Sequence, residues 1–449
     1  MTPAHVMPAE APSLVFTDRR LETDDYRAAK ALLGEALVDR VDFRFLDTLS
    51  REAKRQRVSS MIEGFISNEN SIPLTAEQEA LLKVQALDDL LGFGPLEVLL
   101  ADPDVSDIMV NGHKRVYVEK KGRIYLSDIR FVSERHLLGV IQKIVAQVGR
   151  RIDESSPMVD ARMPDGSRFN AIIPPLSLDG CLVSIRKFRR QKMAMSDYIT
   201  YHSASPEMVE FLSICAAIRL NILISGGTGS GKTTLLNALS GYIGPGERVI
   251  TIEDTAELQL HQPHVLRLET RPPNMEGSGE ISQRQLVRNA LRMRPDRIIL
   301  GEIRGDEVVD VMAAMNTGHD GSMATIHANH PRDAINRLEN LLGMSGVNLS
   351  PQAMRAQIGS ALHMIVQLSR MRDGSRRIVQ IDEMVPSEGG VTTRTLFAFK
   401  PGQLDMHGNL TGYYYSTGII PNFLPQAEYY DKDQDLLTCL RTDIQPQQL

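Results

Sequence analysis

Between residues 24 and 91 apolar positions recur every three or four residues. Tyr26, Leu33, Leu37 and Val41 can share one helical face, and Leu46, Leu49, Met61 and Phe65 continue the pattern. Thr75 and Gln78 stand three apart in front of ALLKVQALDDLLGFG, the spacing of a reciprocal helix cap. The stretch 24–91 is therefore predicted to be a helical bundle of three helices. Residues 1–23 are rich in proline and polar groups and predict a flexible tail. The run REAKRQR at 51–57 reads as a solvated helix face rather than a docking patch.

From residue 92 the period changes from helical to alternating. RVYVEKKGRIYL predicts two strands around a Lys-Gly turn, and SERHLLGVIQKIVAQVG an amphipathic helix with Leu137, Ile141, Ile144 and Val148 aligned. VDARMPDGSRFNAIIPP and CLVSIRKF predict further strands, which makes 92–190 a small α+β domain. Residues 191–205 read as a linker. From 206 to 449 strands and helices alternate, with NILIS, RVITIE, HVLRLE and RIILGE as the strand runs. That is the α/β pattern of a largely parallel sheet. RRIVQIDEMV and TRTLFAFK add short strands near the end, and no internal repeat or low-complexity tract is visible.

Composition narrows the class. With 449 residues and 42% hydrophobic content the chain can build two or three domain cores. The net charge of −6 and the absence of Trp count against a nucleic-acid-binding protein. Cys181, Cys215 and Cys439 are far apart and form no CxxC pair, so neither zinc nor a disulfide framework is expected, and a reducing cytoplasm fits. The N-terminus lacks the charged start and apolar run of a secretory signal. The most apolar window, MVEFLSICAAIRLNILI, carries Glu210, Arg219 and Asn221 and reads as a buried helix followed by a strand. Direct membrane insertion is not expected, and a membrane role would run through a partner.

The sharpest chemical signal is SGGTGSGKTTLLNALSGY at 225–242. Gly226, Gly231, Lys232 and Thr233 match the spacing G-x-x-x-x-G-K-[ST], with Gly227, Thr228, Gly229, Ser230 and Thr234 completing the loop. Glycines let the backbone turn its N–H groups inward on phosphate oxygens, and the following helix adds its positive end. Lys232 would reach the β- and γ-phosphates and Thr233 would hold Mg²⁺. The flanking strand NILIS and the helical run LLNALSGYI are the context such a loop requires, so ATP binding is predicted. Hydrolysis also needs a group that orients water. One strand run ends on Glu253 and Asp254, with Glu257 a turn further, and another ends on Glu302. Where the second would ordinarily carry Asp before its Glu, Gly301 stands instead, so Mg²⁺ is left to Thr233 and waters, with Glu253 a possible helper. His319, His327 and His330 cluster downstream. A γ-phosphate sensor suits one of them, and a structural role suits the others.

Taken together, GGTGSGKTT, ITIEDTAEL, LRMRPDRIILGEIRGDE and TGHDGSMATIHAN resemble the Walker A, Asp box, Walker B and His box of the type II/type IV secretion ATPase superfamily. ADPDVSDIMVNG, RRIDESSPMVDARMPDGSRFNAIIPP and ATIHANHPRDAINRLE are similar to its CpaF/TadA branch, the ATPases of tight-adherence (Tad/Flp) pili. The similarity runs over about residues 75–425 and hardly touches 1–70. It implies a RecA-like P-loop motor domain joined to the smaller α+β N-terminal domain. It also implies a cytoplasmic homohexamer that hydrolyses ATP against inner-membrane platform proteins to move pilin subunits. Lys232 and Thr233 match its Walker A positions, Glu253 its Asp-box acid, Glu302 its catalytic glutamate and His327 its γ-phosphate sensor. Two arginines of the N-terminal domain that reach the phosphates in relatives match Arg168 and Arg186. The four-cysteine zinc module of the type II secretion branch is missing. A type IV or type II secretion channel is the nearest alternative, and a RecA-like nucleic-acid-binding protein a more distant one.

Overall fold

Helices Asp24–Arg40, Arg51–Asn68 and Ala76–Leu91 bury one stripe each. Tyr26, Leu33 and Leu37 meet Val58, Ile62, Leu82 and Leu87 in a core of their own, with Met61 and Phe65 packed at its margin. The Thr75 hydroxyl accepts from the Gln78 amide at 3.2 Å, and Gln78 Oε1 accepts from the Thr75 amide at 2.9 Å. That exchange starts the third helix where the spacing predicts it. Arg55, Gln56 and Arg57 are exposed, as a solvated face should be. The computed structural model describes residues 12–16, 21–40, 49–68, 73–120, 122–188, 193–271, 273, 278–346, 348–388 and 390–441. Val41 and Leu46, expected on the helical faces, lie outside these residues, as do 191 and 192 of the expected linker.

The chain divides into two compact units, residues 1–189 and 190–449. In the first, the described strands form a seven-stranded sheet in the order β1-β4-β3-β2-β7-β6-β5. Their ranges are Ser13–Leu14, Val105–Asn111, Arg115–Lys120, Arg123–Ser127, Met158–Arg162, Arg168–Ile172 and Leu182–Arg186, numbered β1 to β7 in chain order. Helix Glu134–Gln147 lays Leu137, Ile141, Ile144 and Val145 into the same core as Ile108, Val118, Phe169 and Ile185.

One expectation fails here. Residues 12–16 are not a loose tail: β1 pairs parallel with β4, and the Phe16 amide donates to Asp128 Oδ1 at 2.7 Å. Leu14 and Phe16 pack on the sheet core, and β4 offers them an open edge to bond.

The second unit holds a nine-stranded sheet in the order β10-β9-β11-β12-β8-β13-β14-β15-β16. The strands are β8 Ile222–Gly226, β9 Val249–Glu253, β10 Val265–Glu269, β11 Arg297–Leu300, β12 Met323–Ile326, β13 Met364–Arg370, β14 Arg376–Ser387, β15 Gly390–Leu404 and β16 Leu410–Ser416. The first six in the order run parallel, and β14 to β16 continue antiparallel. Both faces are covered. Ile222, Ile224 and Ile299 join one core with Leu212 and Leu235, whereas Leu223, Ile298 and Leu300 join the other with Val311 and Leu338. Burial on both faces is why these strands read as continuous apolar runs. The apolar window at 208–224 becomes helix Pro206–Ala217 and strand β8, both inside this core. No helix among the described residues is long and apolar enough to cross a membrane.

The stretch expected as a linker is also partly ordered. Met195–Thr200 is a helix capped by Asp197, whose Oδ2 accepts from the Ala194 amide at 2.8 Å. Met195 and Tyr198 are buried in the core of the second unit. An apolar pair three residues apart is enough to dock one and a half helical turns.

Candidate active site

Parallel strands share one end for all their outgoing loops. Residues 226–233 leave β8, 301–304 leave β11 and 327 leaves β12 at that carboxyl end, so residues far apart in sequence converge. The glycine loop is built as the spacing predicts. Gly229 and Gly231 take φ of +70° and +98°, and a Cβ on Gly226 would lie 2.4 Å from the Ser230 hydroxyl. Helix Lys232–Ser240 starts without a side-chain cap, which leaves its first N–H groups for a ligand. Thr233 and Thr234 sit half-buried in its first turn.

Lys232 is buried, and its ammonium donates to the Gly226 and Gly227 carbonyls at 2.9 and 3.0 Å. Burial lowers its pKa, Glu302 works against that, and Arg304 and Arg337 add to it. His327 Nδ1 lies 3.4 Å from the same ammonium. An ammonium can only donate, so Nδ1 accepts and the imidazole proton belongs on Nε2. Nε2 stands 3.3 Å from Glu302 Oε1, within ion-pair range but without the alignment of a hydrogen bond. Burial first, and the Lys232 charge second, depress the His327 pKa and favour this neutral form. The other Glu302 oxygen accepts from Arg304 at 2.8 Å, and Arg304 also reaches Asp254 Oδ2 at 3.3 Å. Lys232, His327, Glu302, Arg304 and Asp254 thus form one line across the strand ends.

Glu253, on β9 next to Asp254 and beside β11, is engaged by the loop that follows it. Its strand β9 is three places from β8 in the sheet, about 14 Å at ordinary strand spacing. One carboxylate oxygen accepts from the Glu257 and Leu258 amides at 2.7 and 2.9 Å and shapes the loop that follows, whereas Oε1 is buried without a partner. Burial pushes this carboxyl up to about 7. Gly301 explains its own departure from the usual Asp: a Cβ there would stand 2.9 Å from Glu253 Cγ. Of the other histidines, His319 lies against the Ala314 carbonyl, and His330 caps helix Pro331–Met344.

In the first unit Arg168 and Arg186 are register partners on β6 and β7. The row continues to Arg162 on β5 and Asp107 on β2, and Arg186 Nε donates to Asp107 Oδ1 at 3.1 Å. Side chains of opposed residues share a sheet face, so three arginines start from one row of that face. Arg162, Arg304, and the pair Arg370 and Arg376 beside the glycine loop were not singled out from sequence. The D-G turn in MRDGSRR and the Arg two places after Glu302 were the available signals.

No group of three or more His, Cys, Asp or Glu side chains that could cage a metal ion occurs among the described residues. Mg²⁺ does not require one. It takes one or two protein oxygens plus waters and phosphate. The Thr233 hydroxyl, half-buried in the first turn of the helix after the glycine loop, is a hard oxygen donor of that kind, and the residues present fit it.

Residues 89–396 match the family model described as type II/IV secretion system protein. A Mycobacterium tuberculosis (strain H37Rv) protein provisionally named for conjugal transfer is 36% identical over 339 residues, covering 74% of this chain and 96% of its own. Conjugal transfer protein TrbB of Rhizobium radiobacter is 33% identical over 310 residues, covering 68% of this chain and 90% of its own. Type IV secretion system protein VirB11 of Bartonella quintana is 29% identical over 323 residues, covering 64% and 90%.

Proposed function

We propose, for a chain that belongs to the type II/IV secretion system protein family, that it is an ATP hydrolase driving a pilus or secretion machine. The observation that carries this reading is the line from Lys232 through His327 to Glu302 beside the glycine loop. Residues 226–234 bind the ATP phosphates through backbone N–H groups and the Lys232 ammonium. A cation already stripped of water attracts phosphate strongly. Thr233 would hold Mg²⁺ together with waters, and the ion would supply charge neutralisation on the phosphate oxygens. Glu302 accepts a proton from the attacking water, and Arg304 fixes the orientation of its carboxylate. His327 joins the lysine and the glutamate, so a change at the phosphate end is felt at the base. Glu253 shapes the loop 254–258 behind Gly301 through one carboxylate oxygen. Arg168 and Arg186 are assigned to the transferred phosphate, where guanidinium groups make forked contacts.

Within the family we read the chain as the motor of a tight-adherence (Tad/Flp) pilus. It would act as a hexamer at the cytoplasmic face of the inner membrane, on platform proteins and through them on pilin. The strings at 101–112, 150–175 and 324–339 support this. The second reading is a type IV secretion or conjugation motor, which the names of the relatives favour. Both readings share the site. Lys232→Ala tests it: tight ATP binding, followed by titration with a fluorescent ATP analogue, is expected to vanish while the variant stays folded. Unchanged affinity would move the phosphates elsewhere.

A further inference from the structure

The antiparallel extension of the second sheet touches the glycine loop through one turn. Residues 371–375, MRDGS, join β13 to β14. Asp373 organises the turn: Oδ1 accepts from the Ser375 amide at 3.0 Å and hydroxyl at 2.6 Å, and Oδ2 accepts from the Leu410 amide of β16 at 2.7 Å. Neighbouring strand residues point to opposite faces. Arg377 accordingly turns to β16, donating to the Leu410 carbonyl at 2.7 Å and lying 4.7 Å over the Phe399 ring. Arg376 turns to the loop. Its Nε donates to the Gly229 carbonyl at 2.7 Å, and its Cδ lies 3.5 Å from where a Gly231 Cβ would stand. Arg370, its register partner, brings Nη1 to 3.9 Å from the corresponding point on Gly229.

The peptide that Arg376 holds follows a glycine in the left-handed region. Gly229 is at φ +70°, without a side chain to resist rotation. The Gly229 carbonyl and the Ser230 N–H belong to one planar peptide and point in opposite directions. Tying the oxygen to the Arg376 guanidinium therefore turns the Ser230 N–H to the opposite side. There it makes only a long bond, 3.4 Å, to the Gly227 carbonyl. An amide so weakly engaged is available to a phosphate oxygen.

We propose that Arg376 is a positioning residue for the nucleotide, holding the Gly229 peptide so that the Ser230 amide faces the phosphates, with Arg370 adding a second cation beside the loop. The inference rests on reading 226–234 as an ATP site. Its test uses the full chain with Arg376→Met, Arg376→Lys and Arg377→Met, measuring ATP and ADP affinity, KM, kcat and melting temperature. Loss of one charge-assisted hydrogen bond corresponds to about a tenfold change. Arg376→Met should weaken ATP and ADP binding and raise KM by about that factor, with kcat at saturation little changed. Arg376→Lys, which can still donate to the same carbonyl, should recover most of the loss. Arg377→Met should lower the melting temperature and leave KM as it was. Arg376→Met with the affinity and KM of the parent overturns the inference alone. So does an equal rise of KM in the Arg377 variant, which would reduce the effect to general loosening. A parent chain that fails to bind ATP overturns the reading of the loop, and this inference with it.

Discussion

Glu253 is a carboxylic acid kept near neutrality by its surroundings. Burial pushes it up to about 7 from an ordinary 4.5, despite two backbone N–H donors that favour the charged form. Between these values the folded chain holds a proton that the unfolded chain has released. Stability therefore falls as pH rises from about 4.5 to about 7, and the loss is complete above. Glu253→Gln removes this dependence. The melting temperature of the variant minus that of the parent should grow across this window and level off beyond it. A constant difference would show that folding does not raise the Glu253 pKa, so that no extra proton is held across this window. Sequence made Glu302 and His327 legible because their strings carry a known chemistry at fixed spacing. It also exposed the odd glycine at 301, but not its cause, since Glu253 lies 48 positions earlier and only the sheet order brings it there. Arg376 was hidden for the same reason: its partner Gly229 is 147 positions away.

At the scale of elements, the parallel strands are fixed at the end opposite the candidate site by one fully buried arginine. Arg297, the first residue of β11, donates to Glu247 from Nε at 2.7 Å and from Nη2 at 2.8 Å, and to the Ala216 carbonyl from Nη1 at 2.8 Å. Arg219 reaches the same carboxylate at 2.9 Å. Burial works to raise the Glu247 pKa, but the Arg297 bond and charge prevail and hold it below the usual range. Gly321 is required beside this group, since a Cβ there would lie 2.6 Å from Arg297 Nη1. Arg297→Met should cost about 3 kcal/mol, the lower end for breaking a buried pair, because Arg219 still partners Glu247. Chemical denaturation of the variant would measure this, and a loss within about 0.5 kcal/mol, the range of an ordinary surface change, would contradict it. Strand and helix types were legible wherever the period was sustained. The short strand at 13–14 and the helix at 195–200 were not, because elements of 2 and 6 residues carry too little period to register. Proline and polar composition then read as looseness, although docked apolar side chains decide the outcome.

At the scale of the molecule, the family match spans both units, so the activity is expected to need both. The proposed hexamer would pass strain from subunit to subunit. Specific ATP turnover should therefore fall on dilution as the assembly, followed by light scattering, dissociates, and constant turnover down to the monomer would contradict the hexamer. Beneath that stands the claim that this chain hydrolyses ATP with Glu302 as base. Its most direct test is phosphate release by the purified full chain with ATP and Mg²⁺, parent against Glu302→Gln, with nucleotide affinity measured in parallel. The amide keeps the shape of the side chain but cannot take the proton, so affinity should be retained while turnover drops by about 10²- to 10⁴-fold. Phosphate release at the parent rate would contradict the account.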